Sequence, residues 1–404
     1  MLIAFALGFS SGLPYAALES TLQAWLTEAK LDITTIAQFS MVLIPYCLKF
    51  LWAPFLDQIA PPFLGRRRGW AIVSQLGLVA CFGLMACCNP SSQTLLLAAV
   101  ATLAAFFSAS QDIALDAQRR ELFSDEELGL ASTFFVNGYR VGLIASGALA
   151  LILATHLPWW QVYLLMSLAT TVCMGAVLLS DEPKTLPRGT NAFSISDTIA
   201  PFKEFFTRRG WIVLLSFIVL YKLGDSMAAA LRTKFLLDML YTKLEIAEIS
   251  KAVGLAASIC GAFAGGILIL RLKLMRSLWI FGILQAVSTI GFWWIAESPP
   301  NRVLLAIVIA LENFTGGMGT TAHVAFIGSI CDRRFSGSQY AGLTSIIKIP
   351  AILVSAYSGD IVAAVGWSSF FVICVVAALP AFGFLPFLGS HAAVATRDQD
   401  PTTS

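Results

Sequence analysis

Apolar runs fill this chain, each about as long as a bilayer is thick and each closed by Gly, Pro or a cluster of charge. About twenty apolar residues make one helical crossing. Runs of that kind fall near 2–26, 34–56, 70–88, 93–117, 130–155, 160–179, 211–237, 246–270, 277–296, 302–330, 339–365 and 367–388. The pattern therefore predicts twelve transmembrane helices in an all-α polytopic membrane protein. The runs are continuous and lack the period-two alternation of a barrel strand, which excludes a β-barrel. Residues 181–209 form the one long hydrophilic stretch and divide the runs six and six. The expected organisation is a six-helix half over 1–180, a linker over 181–209, a second half over 210–388 and a polar tail over 389–404.

Composition agrees with that reading. Of 404 residues 57% are hydrophobic and 12% charged, far from the make-up of a soluble domain. The net charge of +2 says little, but its distribution says more. Basic residues gather in alternate loops: Arg66, Arg67 and Arg68; Arg119 and Arg120; Lys184 through Arg208 and Arg209; Arg271, Lys273 and Arg276; Arg333 and Arg334; and Arg397 in the tail. The opposite loops hold mainly Lys30, Lys243 and Arg302. By the positive-inside rule both termini and the linker are expected in the cytoplasm. Ser11, Tyr15, Glu19 and Gln23 put polarity into the first run, which reads as a retained helix rather than a signal peptide, and the near-absence of a basic leader suggests a start a few residues late. Eight cysteines show neither a disulfide framework nor metal spacing, and three scattered histidines make no metal site. Neither a metal nor an organic cofactor is expected.

Ionisable residues stranded inside the runs carry the chemistry. Each costs roughly 2.5 to 3.5 kcal/mol at membrane depth, so such residues normally pair, face water and mark a substrate or proton path. Lys222 and Asp225 stand i,i+3 in the seventh run, close enough to neutralise one another. Taken alone, the pair is also what a purely structural contact looks like. Others recur: Glu19 in the first run, Asp112 in the fourth, Arg140 in the fifth, Glu312 in the tenth and Lys348 in the eleventh. The halves echo each other, with Arg140 answered by Lys348, Asp112 by Glu312, and the basic turn at Arg66 to Arg68 by that at Arg271 to Arg276. Parallel six-helix repeats of this kind are the major-facilitator arrangement.

Polar residues at a step of four share one helix face. The first run reads Ser11, Tyr15, Glu19, Gln23; the fourth Ser108, Asp112, Asp116; the seventh Tyr221, Asp225; the tenth Glu312, Gly316, Thr320. In major facilitators the first, fourth, seventh and tenth helices line the central cavity, while the third, sixth, ninth and twelfth, here almost free of charge, face lipid. Gly316, Gly317 and Gly319 are expected to interrupt the tenth helix. Gly138 with Gly142 and Gly261 with Gly265 read as close-packing ridges without chemistry. Part of the linker, with Ile195, Ile199, Phe202 and Phe206 at helical spacing, reads either as a helix lying on the leaflet or as an unstructured strap.

Longer motifs resemble the AmpG-type muropeptide permeases of the major facilitator superfamily. They include Gly8-Phe9-Ser10-Ser11-Gly12-Leu13-Pro14, Lys49-Phe50-Leu51-Trp52-Ala53-Pro54-Phe55-Leu56-Asp57, Pro61 through Trp70, Ser108-Ala109-Ser110-Gln111-Asp112-Ile113, Gly138-Tyr139-Arg140, Tyr221-Lys222-Leu223-Gly224-Asp225, Phe281-Gly282-Ile283-Leu284-Gln285 and Glu312-Asn313-Phe314. The resemblance runs from the first helix to the twelfth. It implies proton-driven import of N-acetylglucosaminyl-1,6-anhydro-N-acetylmuramyl peptides across a bacterial inner membrane, for peptidoglycan recycling, with β-lactamase induction downstream in some bacteria. The chain departs from the family in its short tail, its missing leader and Gln118 where members often have Trp.

Sugar faces stack on aromatic rings and peptide carboxylates want cations. The expected substrate contacts are therefore Tyr15, Gln23, Lys49, Gln111, Tyr139, Arg140, Tyr221, Lys222, Asn313 and Lys348. Proton coupling is expected at Asp112 and Asp225, then Glu19 and Glu312. Asp57, Arg66, Arg67, Arg68 and Asp116 are expected to form a cytoplasmic gate, with Asp116 holding the arginines. The partners expected are the muropeptide, protons and the bilayer, with no nucleic acid, for a monomeric transporter that is not an enzyme. A major facilitator of another solute, such as an acyl carrier or a drug, stays open. Asp112 and Asp116 before Arg119 also suggest a membrane prenyltransferase holding a diphosphate through Mg²⁺, but the second acidic motif such an enzyme needs is missing.

Overall fold

The computed structural model describes residues 1–31, 33–183 and 195–397. The linker residues 184–194 and the tail from 398 on lie outside them. Among the described residues ten helices are long and apolar enough to cross a membrane. The other two expected crossings are the second, which is broken, and the eleventh, which is separated from the twelfth by a kink at Gly366 within Ser336–Arg397. Only Gly366, at φ +76°, departs from helical geometry there, and a residue with a Cβ is strained at that angle. The second crossing passes from Ile33–Gln38 through 3₁₀ turns at Phe39–Leu43 and Lys49–Leu51 to Ala53–Gln58. Pro45 and Pro54 stand at the starts of its short helices, where a missing amide hydrogen costs nothing.

Two compact units emerge, and each takes a short piece of chain from the far side of the linker. The first comprises Met1–Ser124, Phe134–Lys203 and Cys331–Ser345. Its core packs Leu22, Phe39, Phe82, Met85 and Met166 around Trp25 and Tyr163, whose rings lie 4.9 Å apart. Glycine makes the closest approach: a Cβ on Gly8 or Gly12 would run into the carbonyls of Phe135 and Tyr139, and one on Gly138 into that of Phe5. The second unit comprises Asp125–Thr133, Glu204–Ile330 and Ile346–Ser404. Phe371 meets Phe235 there at 4.6 Å and Phe292 at 5.1 Å, among Leu305, Ile309 and Phe370. The sixth crossing exposes Leu164, Leu168, Val172 and Leu179, as a lipid-facing helix should.

Two expectations about the backbone change. The tenth helix, Arg302–Ile330, runs unbroken through Gly316, Gly317 and Gly319. Glycine keeps its amide hydrogen, so the ladder survives, and these glycines make room instead: a Cβ on Gly317 would collide with the Ser258 carbonyl. The interruption lies in the seventh crossing, between Trp211–Leu220 and Leu223–Asp238, at Tyr221 and Lys222. π-Helical turns also occur, at Ala17–Thr21, Ala145–Leu149 and Ile249–Gly254. In the linker Ile195–Thr207 is helical, with Ile199 exposed and Phe205 buried.

Candidate functional site

The break in the seventh crossing sets the geometry of the second unit. Lys222 has non-helical backbone angles, φ −112° and ψ 5°. Its Nζ donates to Asp225 Oδ2 at 3.0 Å and to Gln285 Oε1, on the ninth helix, at 3.1 Å. Asp225 and Glu312 bring their carboxyls within hydrogen-bonding reach of each other. Glu312 accepts from Ser288 Oγ at 2.9 Å, and Ser288 meets Thr315 Oγ1 at 2.8 Å. Tyr221, buried, donates to the Leu278 carbonyl and lies 5.3 Å from the His323 ring. Lys222, Asp225, Glu312 and Tyr221 thus come together, whereas Asn313 turns away and donates to the Ile309 carbonyl of its own helix. Lys348 is half-buried elsewhere in the same unit.

Sequence reasoning misses Gln285. The ninth helix carries almost no charge and reads as lipid-facing, but one polar residue on its inner face meets Lys222 across a separation of 63 residues. The motif ending in Gln285 is visible in the chain; its partner is not.

In the first unit the polar stripe of the first helix divides. Ser11 is buried and donates to Asp112 Oδ1 at 2.5 Å, and the Tyr15 ring meets Tyr46 edge-on at 5.1 Å. Glu19 and Gln23 are exposed and line a separate cavity of about 340 Å³ with Phe39 and Ser40. The π turn at Ala17–Thr21 supplies the reason, since its extra residue puts the positions beyond it out of phase with those before it. Tyr46 donates to Ser108 Oγ at 2.6 Å. Gln111 is fully buried and donates to the Ser10 carbonyl at 2.7 Å, a tie between the fourth and first helices. Lys49 is buried, and Tyr139 and Arg140 are half-buried in the same unit.

A second cluster surrounds Arg67. Its Nη1 meets Asp57 Oδ1 at 2.7 Å, and its remaining nitrogens reach both oxygens of Glu121. Ser336, from the segment after the tenth helix, bonds to Arg67 and Glu121 together. Ser338 gives both its amide and its hydroxyl to Asp57 Oδ2. Glu182 receives the amides of Arg67 and Arg68 at 2.9 Å each. Asp116 does not hold these arginines: it pairs with Arg119 at 3.1 Å, one turn along its own helix. Burial alone would raise the Asp57 carboxyl, but Arg67, Arg66 and the Ser338 hydroxyl outweigh it and hold the group below the usual carboxylate range. Glu121, Glu182, Ser336 and Ser338 do not stand out in the sequence, because serine and loop-end glutamate carry no local mark of a distant partner.

Residues 1–309 match the Major Facilitator Superfamily. The chain is 41% identical to the anhydromuropeptide permease of Escherichia coli K12, over 94% of this chain and 77% of that one. It is 40% identical to an uncharacterized protein of Haemophilus influenzae and 35% identical to the putative transporter AmpG 4 of Rickettsia felis, covering at least 92% of each. Among solved structures it superposes on FucP in the outward conformation with a TM-score of 0.71 at 15% identity, covering 95% of this chain and 97% of that one. A bacterial ferroportin homologue superposes with a TM-score of 0.69, also at 15% identity, over 96% and 98%. At such identities these structures speak for the fold alone. A broken seventh crossing with buried counter-charges, on this fold and with these relatives, makes the chain a multi-pass membrane transporter that belongs to the AmpG-type permeases of the major facilitator superfamily.

Proposed function

We propose that this transporter imports N-acetylglucosaminyl-1,6-anhydro-N-acetylmuramyl peptides from the periplasm to the cytoplasm of a bacterium, across the inner membrane, driven by the proton-motive force. The observation that carries the reading is the 41% identity to the Escherichia coli permease along 94% of the chain. The chemistry supports it. An anionic peptide entering a negative-inside cell works against roughly 2.3 kcal/mol per charge per 100 mV, so protons must enter with it. Asp112, Asp225, Glu19 and Glu312 are the acids available for such coupling. Lys222, Arg140, Lys348 and Lys49 supply cations for carboxylates, Tyr15, Tyr139 and Tyr221 supply aromatic surface for sugar, and Gln23, Gln111 and Asn313 complete the proposed contacts. Asp57, Arg66, Arg67 and Arg68, with Asp116 beside Arg119, form the proposed cytoplasmic gate. Alternating basic loops support cytoplasmic termini, and the protein acts as a monomer.

Purified protein in proteoliposomes, given labelled anhydro-disaccharide peptide and an inward pH gradient, tests the reading. Accumulation above the outside concentration, abolished by a protonophore, is expected. Failure of folded, correctly inserted protein to take up the label would point to another solute of the same superfamily.

A further inference from the structure

The cluster around Lys222 holds one ammonium against two carboxyls. Lys222 is bonded to Asp225 and Gln285, and Asp225 faces Glu312. Ionised carboxylates are acceptors only, so two carboxyls that bond to each other hold a proton between them. With that proton the cluster is neutral. The other charged or titratable groups facing it, among the described residues, are Arg232, which acts on Glu312 across space, Cys374, which stands by both carboxyls, Tyr221 beside Asp225, and His323, which lies against Tyr221. The two acids differ in access. Glu312 is 6% exposed and tied to Ser288, whereas the Asp225 side chain is 29% exposed and that of Lys222 14%. Glycine keeps the space beside the ammonium clear: a Cβ on Gly319 would stand 2.5 Å from Gln285 Oε1 and 3.7 Å from Lys222 Nζ. The Gln285 amide lies buried beside Asp225.

We propose that Asp225 is the acid that takes up the transported proton, when Lys222 leaves it for a carboxylate of the substrate, and that Glu312 is a resident protonated donor that only holds Asp225 in place. This rests on the anionic peptide substrate proposed above. At rest Lys222 is positive, Asp225 negative and Glu312 neutral. When a substrate carboxylate captures the ammonium, with the Gln285 amide donating to the same oxygens, Asp225 loses its counter-charge and binds one proton from the side that supplied the substrate. When the substrate leaves on the other side, the ammonium returns to Asp225 and expels that proton there. Charge balances at every stage, and one proton crosses for each carboxylate that captures Lys222.

Two readouts separate the acids in the full-length protein in vesicles. At equal pH, Asp225→Asn should still exchange labelled for unlabelled anhydro-disaccharide peptide, because Lys222 is then free for it. The variant should lose the roughly tenfold gain in accumulation that each pH unit gives per coupled proton. Glu312→Gln, which keeps an N–H donor for Asp225, should transport several-fold more slowly yet still gain about tenfold per pH unit. Asp225→Glu should restore the gradient response, which guards against a folding defect. Independently of any substrate, the infrared stretch of a protonated carboxyl should be present at neutral pH in wild type and absent from Glu312→Gln. Loss of the gradient response in Glu312→Gln together with its survival in Asp225→Asn would overturn the assignment. Wild-type vesicles that neither exchange nor accumulate the peptide would strike the proposed substrate instead, and the infrared band then decides the resident proton: its persistence in Glu312→Gln would overturn the assignment on its own.

Discussion

Segments 331–345 and 125–133 stand at corresponding points of the two six-helix repeats, each the loop and first turns of a fifth helix, yet the packing around them differs in kind. In the first unit, 331–345 is held by charge: Ser336 and Ser338 bond into the buried Asp57–Arg67–Glu121 cluster, where Asp57 and Arg67 are each 1% exposed. In the second unit, 125–133 also packs by fit, while Asp125 and Glu127 keep polar partners of their own. Gly129 admits the Ile269 side chain, Gly266 admits Thr133, and beside them lies a cavity of about 590 Å³ lined by Leu128, Ile269, Leu270 and Leu274, with Asp125, Glu126 and Lys273 at its edge. Directional bonds to buried charge fix one geometry, because leaving any member unpaired is costly. Apolar contact beside a void resists sliding far less.

The largest effect expected from breaking this contrast comes from Arg67→Ala, which strands Asp57 and Glu121. Removing one partner of a buried pair costs about 3 to 5 kcal/mol, seen as a lowered melting midpoint in detergent. The same variant tests the pH dependence. A carboxyl held below its usual range contributes stability above its unfolded pKa of about 3.9 and loses it as pH falls through the lower folded value. The wild-type contribution should therefore stay constant from about pH 8 to 5 and be lost only below about 4, whereas in Arg67→Ala burial is left to raise the carboxyl and the variant recovers part of its loss at higher pH. A wild-type contribution that is already lost near pH 6 would mean that Asp57 is not the ionised partner.

Ser338→Ala is the next step down. Asp57 keeps the Ser338 amide and loses the hydroxyl, and a hydrogen bond to a charged group is worth about 1.5 to 3 kcal/mol. A change well under that range would show that the backbone alone fastens the segment. The smallest effect belongs to the second unit. Lys273→Ala at the cavity edge should shift stability by no more than about 0.5 kcal/mol, as exposed positions do. A loss rivalling that of Ser338→Ala would mean that both segments are locked by charge.

Much of this is legible in the chain, and legibility ends where partners become distant. Apolar runs reveal the crossings because membrane depth imposes length and composition locally. Lys222 and Asp225 are readable because i,i+3 spacing is local, and so in principle is the Asp116–Arg119 pair, although the sequence suggests Arg66 to Arg68 as partners for Asp116. Gln285, Ser336 and Ser338 are not, since each finds its partner 63 to 281 residues away. Gly316 to Gly319 mislead for a different reason: glycine weakens an isolated helix, but packing against the eighth helix, where Gly317 meets Ser258, overrides that preference.

The π turns have an evolutionary consequence. Each carries one residue more than the α repeat requires, and an α-helix turns about 100° per residue. Deleting a residue within an ordinary crossing rotates everything beyond it and turns a buried face outward. Deleting one within Ala17–Thr21 would instead restore regular α geometry and swing Ser11 and Tyr15 relative to Glu19 and Gln23 in a single step. Loss or gain of one codon, elsewhere ruinous in a membrane helix, is at such a turn a route by which a descendant of this gene can re-aim part of its polar lining without changing a single side chain.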